Sequence, residues 1–166
     1  LFDAAICRLV LMLLPDPGAA ARSVRAVLRP GGRFAALVHG DAARNPLNKL
    51  AIDILARHGG KTIDPQKPGF FALSSPARLQ SVLLEAGFTE VEVTTAPVIR
   101  RLDNAATATR MVRESFADCI GLIAELSAAA QAAAWDELTG ALTAFEGAEG
   151  CLIQGEYNLV VGRNPG

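Results

Sequence analysis

The stretch from Phe2 to His39 constrains the fold more than any other, because it reads as strand, helix, turn and strand in that order. Phe2, Ala4, Ala5 and Ile6 form an apolar run of the length a buried strand needs, and Val10 to Leu14 extend it to a stop at Pro15. Asp16 is placed to cap a helix whose first residue is Pro17. Ala20, Val24, Val27 and Leu28 then recur at helical spacing until Arg29-Pro30-Gly31-Gly32, where proline sets one turn dihedral and glycine supplies positive φ. Arg33 to Val38 is the next strand. A helix between two buried strands makes a parallel pair with a right-handed crossover.

The rest of the chain is long enough, at 166 residues and 51% hydrophobic, to complete one domain around a core of its own. The net charge of −1 and the lack of a strongly basic window argue against nucleic acid as the partner. Cys7, Cys119 and Cys151 lie far apart and only two histidines accompany them, so no metal site and no disulfide framework is expected, which suits a cytoplasmic setting. The most apolar window, Ala4 to Leu14, contains Arg8 and falls well short of the roughly 20 residues that span a bilayer, so no membrane segment is expected. It also lacks the basic leader and cleavage site of a signal peptide. The sequence enters its first strand at once, with no cap or polar lead-in, and the expectation is a piece of a longer chain.

Downstream, Asn45-Pro46 opens a helix with Leu47, Leu50, Ala51, Ile54 and Leu55 on one side, closed by Gly59-Gly60. A polar loop from Lys61 to Gly69 is the expected mobile segment. Ser75-Pro76 caps a helix through Leu79, Val82, Leu83 and Ala86, with Gly87 in the left-handed position after it. Thr89 to Thr95 is a strand. A helix from Asp103 is expected to break at Gly121, an alanine-rich helix runs from about Ser127 to Phe145, and Tyr157 to Val161 is the last strand.

Two blocks carry a resemblance. Phe2-Asp3-Ala4-Ala5-Ile6-Cys7-Arg8, then Leu13-Leu14-Pro15-Asp16-Pro17, then Val27-Leu28-Arg29-Pro30-Gly31-Gly32-Arg33-Phe34 resemble the fourth strand, helix and fifth strand of class I S-adenosylmethionine-dependent methyltransferases. Leu83-Leu84-Glu85-Ala86-Gly87-Phe88 resembles the helix end before that family's sixth strand, and the last strand stands where the family inserts an antiparallel one beside its fifth. The resemblance covers about residues 2–39 and 73–95. It implies an α/β, Rossmann-like three-layer sandwich, the C-terminal half of a seven-stranded methyltransferase sheet with helical insertions, in a single partial domain over residues 1–166. The first strands and the glycine-rich loop would lie upstream, and the isolated piece would be inactive.

By the same resemblance the cofactor is S-adenosylmethionine, and Cys7, Arg8 and Leu9 line its methionine portion. The reaction is direct displacement of the methyl group by a small-molecule acceptor, which asks for positioning more than for catalytic side chains. His39 ends the fifth-strand equivalent, where the family often has an aromatic residue. It is a candidate general base, or a hydrogen-bonded histidine filling an aromatic's place. His39, Gly40, Phe70 and Phe71 are candidate substrate-pocket residues, with Met111, Phe116 and Trp135 as further apolar candidates or plain core. Cys7 otherwise reads as a small buried hydrophobe, and His58 as a cation at a helix end. The rival readings are another nucleotide-dependent Rossmann enzyme and a non-catalytic interaction or dimerisation module. The first strand would expose an apolar edge, so self-association through it is expected.

Overall fold

A computed structural model describes residues 1–65 and 67–166. The helices and strands are β1 (Phe2–Arg8), α1 (Pro17–Val27), β2 (Leu28–His39), α2 (Pro46–His58), α3 (Pro76–Glu85), β3 (Thr89–Leu102), α4 (Ala105–Ser115), α5 (Ala117–Ile123), α6 (Ala128–Leu142), β4 (Glu146–Gly147) and β5 (Gly150–Arg163). The sheet runs in the order β1-β2-β5-β3, with β4 paired to β5. The chain divides into two compact units: residues 1–44, 65–97 and 156–166, and residues 45–64 and 98–155.

The first unit contains the parallel β-α-β arrangement the sequence predicts. Ala4 to Arg8 of β1 pair in parallel with Arg33 to Leu37 of β2. Asp16 caps α1 by accepting from the Ala19 amide at 2.7 Å. Arg33 to His39 of β2 pair antiparallel with Tyr157 to Arg163 of β5, which places the last strand beside β2 in the expected direction. Phe34, Ala36 and Val38 share one face of β2, as the period of two requires, and join Ala21, Leu79, Leu83 and Phe88 in one apolar core. Phe34 and Phe88 meet there at a ring separation of 5.7 Å. Gly87, at φ 89°, lets Phe88 turn back so that its amide reaches the Leu83 carbonyl at 3.1 Å, closing α3 as its sequence predicts.

Several boundaries differ from the sequence reading. β1 stops at Arg8, because Leu9 adopts φ 57° and Leu11–Leu13 wind into one 3₁₀ turn, so Val10 to Leu14 do not prolong the strand. β1 is also not buried: it is an edge strand, and only Ala5 and Cys7 lean on the core. The Arg29-Pro30-Gly31-Gly32 turn is taken into β2 as an irregularity, with the register against β1 jumping between Phe2 and Ala4. β3 and β5 are each 14 residues long, roughly twice the expected stretch and more. Of the polar loop at 61–69, Gln66 lies outside the described residues.

In the second unit, α2 packs against α5 and α6, and α4 against α6. Leu47, Ala51, Ile54 and Leu55 of α2 are buried, as their spacing dictates, together with Trp135, Leu138 and Leu142 of α6. The helical break falls at Phe116 rather than Gly121, which sits inside α5. Gly59 is required by close approach: a Cβ there would lie 2.0 Å from the Leu122 carbonyl oxygen. His58 is more than a cation at a helix end, since its Nε2 and the Arg57 guanidinium both meet the Glu137 carboxylate.

Candidate functional site

Ligands of open α/β sheets gather at the carboxyl ends of parallel strands. In the first unit those ends are Cys7 to Leu9 on β1 and Leu37 to Gly40 on β2. Cys7 pairs with Ala36 and Arg8 with Leu37. The Leu9 amide then donates to the Leu37 carbonyl at 2.8 Å, so the two ends stay in register through the last residue. Leu9 leaves the strand in the left-handed region, a conformation that costs a branched residue roughly 1–2 kcal/mol. The chain thus turns sharply where a strand would otherwise run on. Leu11 and Met12 are buried directly after this turn, and the Met12 carbonyl accepts from the Gly69 amide at 3.0 Å.

His39 is buried, with 3% of its surface exposed. Its ring packs against Phe70 at 5.5 Å, Phe71 at 6.2 Å and Tyr157 at 5.2 Å between centroids. The structure therefore brings together three of the pocket residues read from the sequence, His39, Phe70 and Phe71, and adds Tyr157. Tyr157 faces His39 through the β2–β5 register, a relation across more than a hundred residues that no local pattern announces. Gly40 follows, and its amide donates to the Glu156 carbonyl at 2.9 Å. A Cβ on Gly40 would lie 2.5 Å from Glu156 Oε1, so only glycine lets this carboxylate fold over the strand end. The Asp41 amide donates to the same Oε1 at 3.1 Å.

Next to this end lies a cavity of about 560 Å³ lined by Asp41, Arg44, Ser74, Thr95, Glu156 and Asn158, among others. Asn158 is buried and its amide is oriented at both ends, accepting from Thr95 Oγ1 at 2.7 Å and donating to the Ser74 carbonyl at 2.7 Å. None of these polar residues was singled out from sequence. Asp41 and Arg44 belong to the loop after β2, whereas Thr95, Glu156 and Asn158 come from β3 and β5 and Ser74 joins them through its bond to Asn158.

The second unit holds the remaining apolar candidates separately. Val112 and Trp135 are buried there, Met111 and Phe116 are partly buried, and the Arg113 guanidinium lies 6.0 Å above the Trp135 ring. Cys119 is buried, and burial beside Asp118 pushes its thiol up to about 12. Cys151 is raised in the same direction by burial and by Glu146. Among the described residues no cluster of three or more histidine, cysteine or acidic side chains is placed to hold a metal ion, and no helix is long and apolar enough to cross a membrane.

A parallel β-α-β unit with an antiparallel strand added beside its second strand defines a Rossmann-like α/β fold of the methyltransferase type. The family model described as a methyltransferase domain matches residues 1–36, the stretch that forms β1, α1 and the first part of β2. The resemblance to class I S-adenosylmethionine-dependent methyltransferases thus rests on that block. No curated protein is significantly similar to the chain in sequence. Among solved structures, the YcgJ protein of Bacillus subtilis aligns with 99% of this chain and 64% of its own at 18% identity and a TM-score of 0.50. A candidate methyltransferase of Bacillus halodurans aligns over 99% and 70% at 18% identity and a TM-score of 0.47. A phosphoethanolamine N-methyltransferase of Haemonchus contortus, solved with phosphomonomethylethanolamine and S-adenosylhomocysteine, aligns over 99% and 34% at 15% identity and a TM-score of 0.46. The chain therefore spans about a third of that enzyme and under two thirds of the Bacillus subtilis protein.

Proposed function

We propose that this chain is part of an S-adenosylmethionine-dependent methyltransferase acting on a small-molecule acceptor, within a longer parent chain. The observation that carries the reading is the family match over residues 1–36, because it falls on the one element whose geometry a cofactor site needs: two parallel strands ending side by side. When bound, the cofactor supplies an electrophilic methyl group on sulfur. The placement of Cys7, Arg8 and Leu9 supports a role at its methionine end, since they form the carboxyl end of β1 where the chain turns sharply at Leu9. Their role is to line and orient. His39, Gly40, Phe70 and Phe71 are assigned to the acceptor side, where the aromatic packing holds the imidazole in one orientation and excludes water. Direct displacement needs alignment first and a base only where the acceptor must lose a proton.

The test is amide chemical-shift mapping with S-adenosylhomocysteine on the parent protein. The reading expects shifts concentrated at Cys7 to Leu9 and Leu37 to Gly40. Shifts confined to other strands would contradict it. A base role for His39 has its own readout: His39→Phe keeps the aromatic packing, so loss of turnover with unchanged S-adenosylhomocysteine affinity supports the base, and retained turnover assigns His39 to the pocket wall.

A further inference from the structure

The polar cavity of about 560 Å³ in the first unit has the size of a small-molecule site, and the chemistry of its lining restricts what it can hold. Its walls come from the loop after β2, from β5 and β3, and from the start of α3, on the β3 side of the sheet order. The period of two puts Glu156 and Asn158 on the same face of β5, so both reach it. Asn158 is buried and fixed by its two bonds, and Thr95 Oγ1 spends its proton on Asn158 Oδ1, so the threonine offers the cavity lone pairs. The Asp41 and Glu156 carboxylates are held in place by backbone amides, Asp41 Oδ1 by that of Ala43 at 2.7 Å and Glu156 Oε1 by that of Asp41 at 3.1 Å. A carboxylate has about four lone-pair positions and donates nothing. Two carboxylates against the one guanidinium of Arg44 leave the lining acidic and rich in acceptors.

We propose that this cavity binds a small molecule through a protonated primary or secondary amine. Such a group carries two or three N–H donors, a positive charge and no acceptor, which is the complement of this lining, and its bonds to the carboxylates are charge-assisted. Other occupants fit worse. An anion would be set against Asp41 and Glu156, and an apolar molecule would strip water from both carboxylates without replacing its hydrogen bonds. A bare divalent cation asks for six or more oxygen ligands, whereas among the described residues no cluster of three or more acidic, histidine or cysteine side chains is placed to hold a metal ion. On the methyltransferase reading above, on which this last step rests, the molecule so held is the acceptor. Its amine is then the handle for recognition, because Gly40 and Asp41 lead directly from the end of β2 into the cavity wall.

Amide chemical-shift titration of the parent protein with n-propylamine at neutral pH tests this, with n-propanol and propanoate as neutral and anionic probes of similar size. The expected result is saturable shifts at Asp41, Ala43, Thr95, Glu156 and Asn158 from n-propylamine alone, at millimolar concentrations. Asp41→Asn and Glu156→Gln keep the shape and an acceptor oxygen but remove the charge, and each should weaken amine binding by roughly threefold to tenfold. Asp53→Asn, which removes an acid of the second unit paired with Lys49, should leave it unchanged. Equal shifts from the three probes, amine shifts scattered over acidic residues elsewhere, or cavity variants that bind the amine as the wild type does would overturn the proposal. A separate titration with S-adenosylhomocysteine keeps the two readings apart. No amine response beside normal shifts at the ends of β1 and β2 overturns this proposal alone, whereas an amine response without those shifts supports the ligand class and overturns the methyltransferase reading.

Discussion

Asn164 holds the irregular start of β2 around Leu28 to Gly32, and replacing it has a cost that can be worked from its contacts. The side chain is 5% exposed, and its Nδ2 donates to the carbonyls of Leu28 at 3.0 Å, Arg29 at 3.3 Å and Arg25 at 3.4 Å. Its backbone closes the same stretch, accepting from the Gly31 amide and donating to the Gly32 carbonyl, both at 2.8 Å. Asn164→Ala leaves the backbone bonds and removes the side-chain donor from three carbonyls. One good hydrogen bond is worth about 1 kcal/mol net and a buried carbonyl deprived of its donor about 1–3 kcal/mol, so the expected loss is about 2–3 kcal/mol. At about 2–4 °C per kcal/mol for a chain of this size, the melting temperature should fall by about 4–12 °C. Asn164→Asp should be worse than alanine near neutral pH, because a carboxylate oxygen would face three carbonyl oxygens. Its deficit should shrink on acidification, as the protonated carboxyl regains a donor. Urea and thermal melts of the three proteins by circular dichroism check the ordering. An aspartate variant as stable as alanine at pH 7 would refute the view that donation to these carbonyls fixes this stretch.

In the second unit, Gly59→Ala should destabilise by about 1–3 kcal/mol or more, since its Cβ would meet the Leu122 carbonyl oxygen at 2.0 Å and backbone, not a flexible side chain, must yield; denaturant titration measures it. Hydrogen bonds from His58, then Arg57, hold the Glu137 carboxyl below its ordinary value of 4.5. A depressed acid contributes stability that is complete above that value and lost as pH falls through the lower folded one, so Glu137→Gln should flatten the decline in stability below pH 4.5. Identical acid profiles for the two proteins would show that the contact adds nothing. Cys119 should resist thiol reagents in the native state, being buried with its thiol pushed up to about 12, while the half-buried Cys7 reacts first; peptide mapping after brief alkylation distinguishes them.

What the sequence displayed openly were the locally encoded features. Asp16-Pro17, Ser75-Pro76 and Gly87-Phe88 act through neighbours within a few residues, and each start or stop falls where those residues predict. β1 was misread in length because a run of apolar residues does not record that Leu9 turns back, whereas its exposed edge was expected. The site divides the same way. His39, Gly40, Phe70 and Phe71 were visible because they sit at the end of a recognisable strand or in a paired aromatic motif. Tyr157, Glu156, Asn158 and Thr95 were not, because their neighbourhood is created by the β2–β5 register and by side-chain bonds between distant segments. Gly59 read as a helix terminator, which it is, but the carbonyl pressed against it belongs to a helix more than sixty residues away.

The central claim is that the ends of β1 and β2 form part of a cofactor site. Calorimetric titration of S-adenosylhomocysteine into the parent protein and into its Gly40→Val variant, whose side chain would displace Glu156 at the strand end, tests it most directly. The account predicts saturable binding by the parent protein and a clear loss of affinity in the folded variant. No heat from a folded parent protein, or equal affinity in the two, would contradict it.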